Sequence, residues 1–264
     1  MNDISQVLTS KSKQNSCALI PFITAGYPDI QTTIQIITTL DKEDVDIIEL
    51  GIPYIDALAD GPIIQEASKL ALLQNTYVDD VIFSIKKIRD MIHTPIVIFT
   101  YFNPILSKGI EHFIHDLYDA GVKGLIVPDL PFEEMDYLII MCQKYDIELI
   151  CFIAPTSSSK RRLEILQKAP GCIYVVSSTG VTGIRDSVNY DINNIIIDIK
   201  TATLKPIMLG FGISTSDQVS VVSQWSIDGI VIGSALMQQI LQSPSAQIIE
   251  NISSFIRSIK LGIC

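Results

Sequence analysis

Along this chain of 264 residues a short apolar run gives way, again and again, to a segment whose apolar residues recur at helical spacing. The alternation repeats at a period of roughly thirty residues, and few architectures accept it. The runs are Cys17–Ile23, Ile47–Leu50, Pro95–Phe99, Gly124–Val127, Glu148–Ile153, Ile173–Val176, Pro206–Leu209 and Gly229–Ile232. After the first, Asp29 is suited to cap a helix with Ile30, Ile34, Ile37 and Leu40 on one face. Short connections with no Ser-, Gly- or Pro-rich linker favour one closed α/β unit over an open sheet, a (β/α)8 TIM barrel spanning residues 1–264 as a single domain. Ile63–Leu73 reads as an extra short helix after the second strand, and the barrel carries added helices at its termini, the last near Ser245–Ile259.

Composition narrows the partners. The formal net charge is −10, with no Lys/Arg-rich block, which argues against nucleic acid and anionic membranes. No stretch approaches the length of an apolar membrane span. The five cysteines, Cys17, Cys142, Cys151, Cys172 and Cys264, form no C-x-x-C pair and read as reduced, mostly buried thiols of a cytosolic-type compartment. The polar opening MNDISQVLTSKSKQNS lacks the pattern of a secretion or transit signal.

A barrel of this kind works at the C-terminal ends of its strands. Residues just past each run are therefore the candidates: Thr24, Glu49, Tyr101, Asn103, Asp129, Thr156, the loop Ser178–Gly183, Gly210-Phe211-Gly212 and Gly233-Ser234. Glu49 stands out, because a buried parallel strand is expected to be apolar throughout, and an acid in one must be paired, neutral or facing a cavity. The loop that follows supplies two more acids, Asp56 and Asp60. Gly212, Gly233 and Ser234 lie where barrels commonly hold a phosphate on backbone N–H groups. Phe22, Tyr101, Tyr174 and Phe211 lie near strand ends, where each either lines an apolar pocket or packs in the core.

Other chemistries are poorly supplied. His93, His112 and His115 fall on helices or their ends, away from any metal-ligand set. Lys123 and Lys205 precede strands, at the face opposite to that on which a Schiff-base lysine would act. Acid/base catalysis by carboxylates on a phosphorylated substrate remains.

Several runs then carry a resemblance that covers nearly the whole chain. PFITAGYP at 21–28, ELGIPY at 49–54, LADGP at 58–62, VPDLP at 127–131, SSTGVTG at 177–183, GFGIS at 210–214 and GSA at 233–235 resemble the tryptophan synthase α chain family. The resemblance implies a cofactor-free lyase that splits indole-3-glycerol phosphate into indole and glyceraldehyde 3-phosphate. It implies Glu49 as catalytic acid/base, Asp60 as an ionised carboxylate on the indole N–H, and Thr182 as the loop residue that meets Asp60 on closure. Gly183, Gly212, Gly233 and Ser234 match the family's phosphate contacts. It further implies a β-chain partner that holds pyridoxal phosphate, in an α2β2 heterotetramer of the cytoplasm or plastid stroma. Loop 53–60 would face that partner and loop 178–189 would cover the substrate. Where the family usually has Ser-Asp-Pro, this chain has Ile55-Asp56-Ala57, which is expected to expose an isoleucine and to free the backbone at 57. Two alternatives stay open at this stage: a catalytically weak chain that mainly activates its β partner, and a different phosphate-binding barrel such as a sugar-phosphate isomerase.

Overall fold

The computed structural model describes residues 3–176, 191–210 and 212–263. Eight parallel strands close into a barrel in sequence order. They are β1 (Ala18–Thr24), β2 (Ile48–Gly51), β3 (Ile96–Phe99), β4 (Gly124–Ile126), β5 (Glu148–Ile153), β6 (Ile173–Val176), β7 (Ile207–Gly210) and β8 (Gly229–Ile232). The helices of the described residues are α1 (Asp3–Lys13), α2 (Ile30–Lys42), α3 (Pro62–Leu73), α4 (Val78–Ile88), α5 (Phe102–Lys108), α6 (Ile110–Asp119), α7 (Asp136–Lys144), α8 (Ser159–Lys168), α9 (Asp191–Ala202), α10 (Ser216–Val222), α11 (Ser234–Gln242) and α12 (Ile248–Lys260). None is long and apolar enough to cross a membrane.

The expected strands and helices form because each carries the right period. The strands are buried on both faces, as parallel strands sheathed by helices must be. Asp29 caps α2 as expected, its carboxylate accepting from Thr32 N at 2.7 Å. Helix α5 was not expected: Asn103 was read only as a residue past the third strand, yet a helix begins there, with Pro104 in its first turn, where its missing N–H costs nothing.

At the N-terminal ends of the strands, α1 stoppers the barrel. Ile4 and Leu8 are fully buried there, and Gly229 makes room for Leu8, since a Cβ at that position would lie 2.7 Å from Leu8 Cδ2. Glu148, wholly buried at the start of β5, fastens the helix. Its carboxylate accepts from Ser5 N at 3.1 Å, Ser5 Oγ at 2.6 Å and Cys172 N at 2.6 Å. An amide in its place offers one acceptor oxygen and turns an NH2 toward an N–H donor. We expect Glu148→Gln to lower stability by about 1–3 kcal/mol in urea unfolding while leaving chemistry at the opposite end of the barrel unchanged.

Both lysines set aside earlier belong to this lower end. Lys123 Nζ is 2.8 Å from Asp3, and Lys205 Nζ donates at 2.5 Å to Ala169 O. The described cysteines are buried, and burial pushes the Cys151 thiol up to about 11 and the Cys17 thiol up to about 12.

Candidate active site

Register fixes which side chains enter the barrel. Glu49 is aligned with Phe22 of β1 and with Val97 of β3, and Gly51 with Thr24 and Phe99. Alternation then turns Phe22, Thr24, Glu49, Phe99 and Tyr101 toward one interior. The rings agree: Phe22 meets Phe99 edge-on at 5.6 Å, and Phe99 meets Tyr101 at 6.2 Å. Gly51 leaves space for Phe22, whose Cζ would lie 2.7 Å from a Cβ there.

Glu49 is 1% exposed and its Oε2 has no hydrogen-bond partner. Burial, reinforced by the charge of Asp60, lifts its carboxyl from the ordinary 4.5 to about 8. At neutral pH it is therefore mostly a carboxylic acid, with a proton to give.

Asp60 reaches the same interior from the loop after β2. That loop is tied down at both ends: Asp60 N donates to Ala57 O at 3.1 Å, and Gln65 Nε2 of α3 donates at 3.0 Å to Ala57 O and to Asp60 O. The backbone at Ala57 is thus not loose, and the residue is buried; the hydrogen bonds to α3 do what a proline was expected to do. Ile55, as expected, is exposed, at 66%.

Tyr101 binds this loop to the barrel. Its hydroxyl donates to Asp60 Oδ2 at 3.0 Å and accepts from Ala59 N at 3.0 Å. The ring stacks on Tyr54 at 5.1 Å, and Asn103 Nδ2 donates to the Tyr54 hydroxyl at 3.1 Å. Asp129, another strand-end candidate, accepts from Phe102 N at 2.9 Å and so steadies the turn that carries Tyr101. Asp60 does not match the expectation of a readily ionised carboxylate. Burial raises it to about 7, with the Tyr101 hydrogen bond opposing the rise, so at neutral pH it is only partly the anion.

On the far side, Tyr174 is buried, tilts against Phe152 at 4.8 Å, and presents its hydroxyl to Gly210, where a Cβ would lie 2.5 Å from it. Burial raises its phenol well above the ordinary value, with the nearby carboxyl groups of Glu49 and Asp60 adding to the rise. Gly233 adjoins Phe22, and Ser234 opens α11, so the unpaired N–H groups of that helix begin beside the aromatic wall. Gly212 has φ +68°, which a residue with a Cβ rarely adopts. Thr182, Gly183 and Phe211 lie outside the described residues.

This arrangement can be set beside known proteins. The family model described as tryptophan synthase alpha chain matches residues 8–260. The chain belongs to the tryptophan synthase alpha chain family. Among curated relatives, the alpha chain of Gracilaria tenuistipitata var. liui is 51% identical over 263 residues, covering 100% of this chain and 97% of that one. The alpha chain of Arabidopsis thaliana is 42% identical, covering 98% of this chain and 95% of that one. Among solved structures, tryptophan synthase of Mycobacterium tuberculosis aligns with a TM-score of 0.90 at 29% identity, over 98% of this chain and 97% of that one. The alpha subunit of Legionella pneumophila aligns with a TM-score of 0.90 at 31% identity, over 99% of this chain and 98% of that one.

Membership speaks to the alternatives left open. It sets aside an unrelated phosphate-binding barrel, and it makes the chain a lyase subunit of the tryptophan synthase alpha type. Sequence reading passed over Tyr101 as a holder of Asp60, because nothing in the string shows that a residue after β3 folds back onto the loop after β2.

Proposed function

We propose that the barrel mouth cleaves indole-3-glycerol phosphate by Glu49-centred proton transfer, in a single domain spanning residues 1–264. The family's alpha chains carry out this cleavage in tryptophan biosynthesis, and pyridoxal phosphate belongs to the beta chain. The observation that carries the residue assignment is a fully buried Glu49, raised by burial and by the nearby Asp60, together with the hydrogen bond by which Tyr101 holds that second carboxylate.

The chemistry follows from that pair. Glu49 gives its proton to indole C3, and the ring becomes cationic. Asp60, as the anion, accepts the indole N–H and stabilises the positive charge as it develops. The Glu49 carboxylate then takes the proton of the hydroxyl on the carbon joined to the ring. The carbon–carbon bond breaks, its electrons neutralise the ring, and the hydroxyl carbon becomes the aldehyde. Glu49 ends protonated, as it began, its first proton now on indole C3 and the carbinol proton in its place. Phe22, Phe99 and Tyr101 wall the indole on this reading, with Tyr174 and Phe211 on the other side. Gly212, Gly233 and Ser234 offer backbone N–H groups to the phosphate, joined by Gly183, and Thr182 meets Asp60 on closure.

The pH dependence has a definite sign. Asp60 must be an anion, so kcat/KM rises with pH through about 7. Glu49 must be an acid, so it falls again above about 8. A bell with those limbs is the expected profile of indole release by the purified chain.

A beta-chain partner follows from the family and from the tryptophan synthase complexes among its structural neighbours. The α2β2 stoichiometry belongs to the proposal, as does a cytoplasmic or plastid-stromal location, which the algal relatives support. Exposed Ile55 and Leu58 lie on the loop proposed to meet that partner. The deciding experiment is indole release with and without the beta chain. Turnover that the partner accelerates supports the reading; partner binding without indole release identifies an activating subunit instead.

A further inference from the structure

Among the described residues, the buried side-chain polar atoms without a hydrogen-bond partner are Thr24 Oγ1, Glu49 Oε2 and Thr100 Oγ1. Thr100 lies between Phe99 and Tyr101, so alternation turns it to the helix side of the sheet. The other two share one interior. Thr24 ends β1 on the same face as Phe22 and is aligned with Gly51, two residues past Glu49 on the adjacent strand. Gly51 adds no side chain of its own there, and the Phe22 ring takes the space it leaves. Thr24 is itself held in place: it is 2% exposed, and its N–H donates to Met237 Sδ at 3.3 Å. A fixed, buried hydroxyl that bonds to nothing is a poor structural choice where valine would fit, and it suits a ligand with a polar group to offer.

The position indicates which group. Strand β1 lies between β8, which leads into Gly233 and Ser234, and β2, which carries Glu49. Thr24 therefore stands between the phosphate cradle and the proton donor. In the substrate, what lies between the phosphate and the reacting carbinol is the middle carbon of the glycerol chain, with its own hydroxyl. We propose that Thr24 Oγ1 hydrogen-bonds that middle hydroxyl and selects for it. The inference rests on the reading of the mouth as the indole-3-glycerol phosphate site.

The test compares wild type, Thr24→Val and Thr24→Ser on indole-3-glycerol phosphate and on an analogue with hydrogen in place of the middle hydroxyl. We expect Thr24→Val to raise KM about three- to tenfold with the full substrate, and Thr24→Ser to stay near wild type. Wild type should lose a similar factor with the analogue, whereas Thr24→Val should treat the two substrates alike. Its melting temperature should hold or rise, because an unpartnered hydroxyl is removed. Unchanged KM and kcat in Thr24→Val, or an equal loss on both substrates, overturns the inference while leaving the site assignment in place. A wild type indifferent to the middle hydroxyl overturns it without recourse to any variant, and a wild type that cleaves neither substrate removes both readings.

Discussion

Replacing Glu49 by glutamine is expected to slow indole release by at least about 10²- to 10⁴-fold, with little change in substrate affinity. The amide has nearly the same size and keeps the cavity filled, but it has no proton to give to indole C3 and cannot take one from the carbinol. The same substitution should stabilise the fold at alkaline pH. Glu49 is raised to about 8 in the folded chain from an ordinary 4.5, so between those values the folded state holds a proton that the unfolded state has released. Stability contributed by the neutral acid is present below 4.5 and lost as pH rises through about 8, at up to roughly 1.4 kcal/mol per pH unit. Glu49→Gln removes that dependence. Urea unfolding of both proteins at pH 5 and pH 8 measures it, and a variant less stable than wild type at pH 8 would contradict the account. An enzyme made more stable by losing its acid is the expected mark of a strained functional group.

Asp60→Asn is the second large effect, expected at about 10²- to 10³-fold in kcat. Asparagine still accepts a hydrogen bond from the indole N–H but brings no negative charge to the cationic ring. The pH profile gives a sharper signature than the rate. Asp60 titrates near 7, so the acidic limb of the bell should vanish in the variant. Asp60 also helps to hold Glu49 up, so the alkaline limb should move to lower pH once that charge is gone. A residual activity whose two limbs match those of wild type would show that Asp60 does not control either group.

Much of this was legible in the string, because barrel strands and their helices announce themselves by period. Glu148–Ile153 and Gly229–Ile232 were read with the bounds the structure shows, and Ala18–Thr24 was displaced by one residue. Glu49 was legible for the same reason, as an acid in a run that wants none. What stayed hidden depends on contacts between distant segments. Glu148 begins its run, at the end of the barrel opposite the candidate residues; only the fold shows that α1 covers that end and makes the carboxylate its anchor. Ala57 looked like a loosened loop, because Gln65 gives no sign in the sequence of reaching back to it. Asp60 was expected as an ionised carboxylate from the resemblance alone, and nothing in the string shows the burial that raises it or the Tyr101 hydroxyl that holds it. Thr24 sits in a run read as strand end, with nothing to mark its hydroxyl as unpartnered.

The most direct test of the central claim isolates the proton transfer from bond cleavage. Indole and glyceraldehyde 3-phosphate are incubated with the purified chain in D2O, and deuterium entering indole C3 is followed by NMR. The account predicts exchange catalysed by wild type and slowed at least about 10²-fold in Glu49→Gln. Exchange at the wild-type rate in that variant would contradict it and place the acid elsewhere in the mouth.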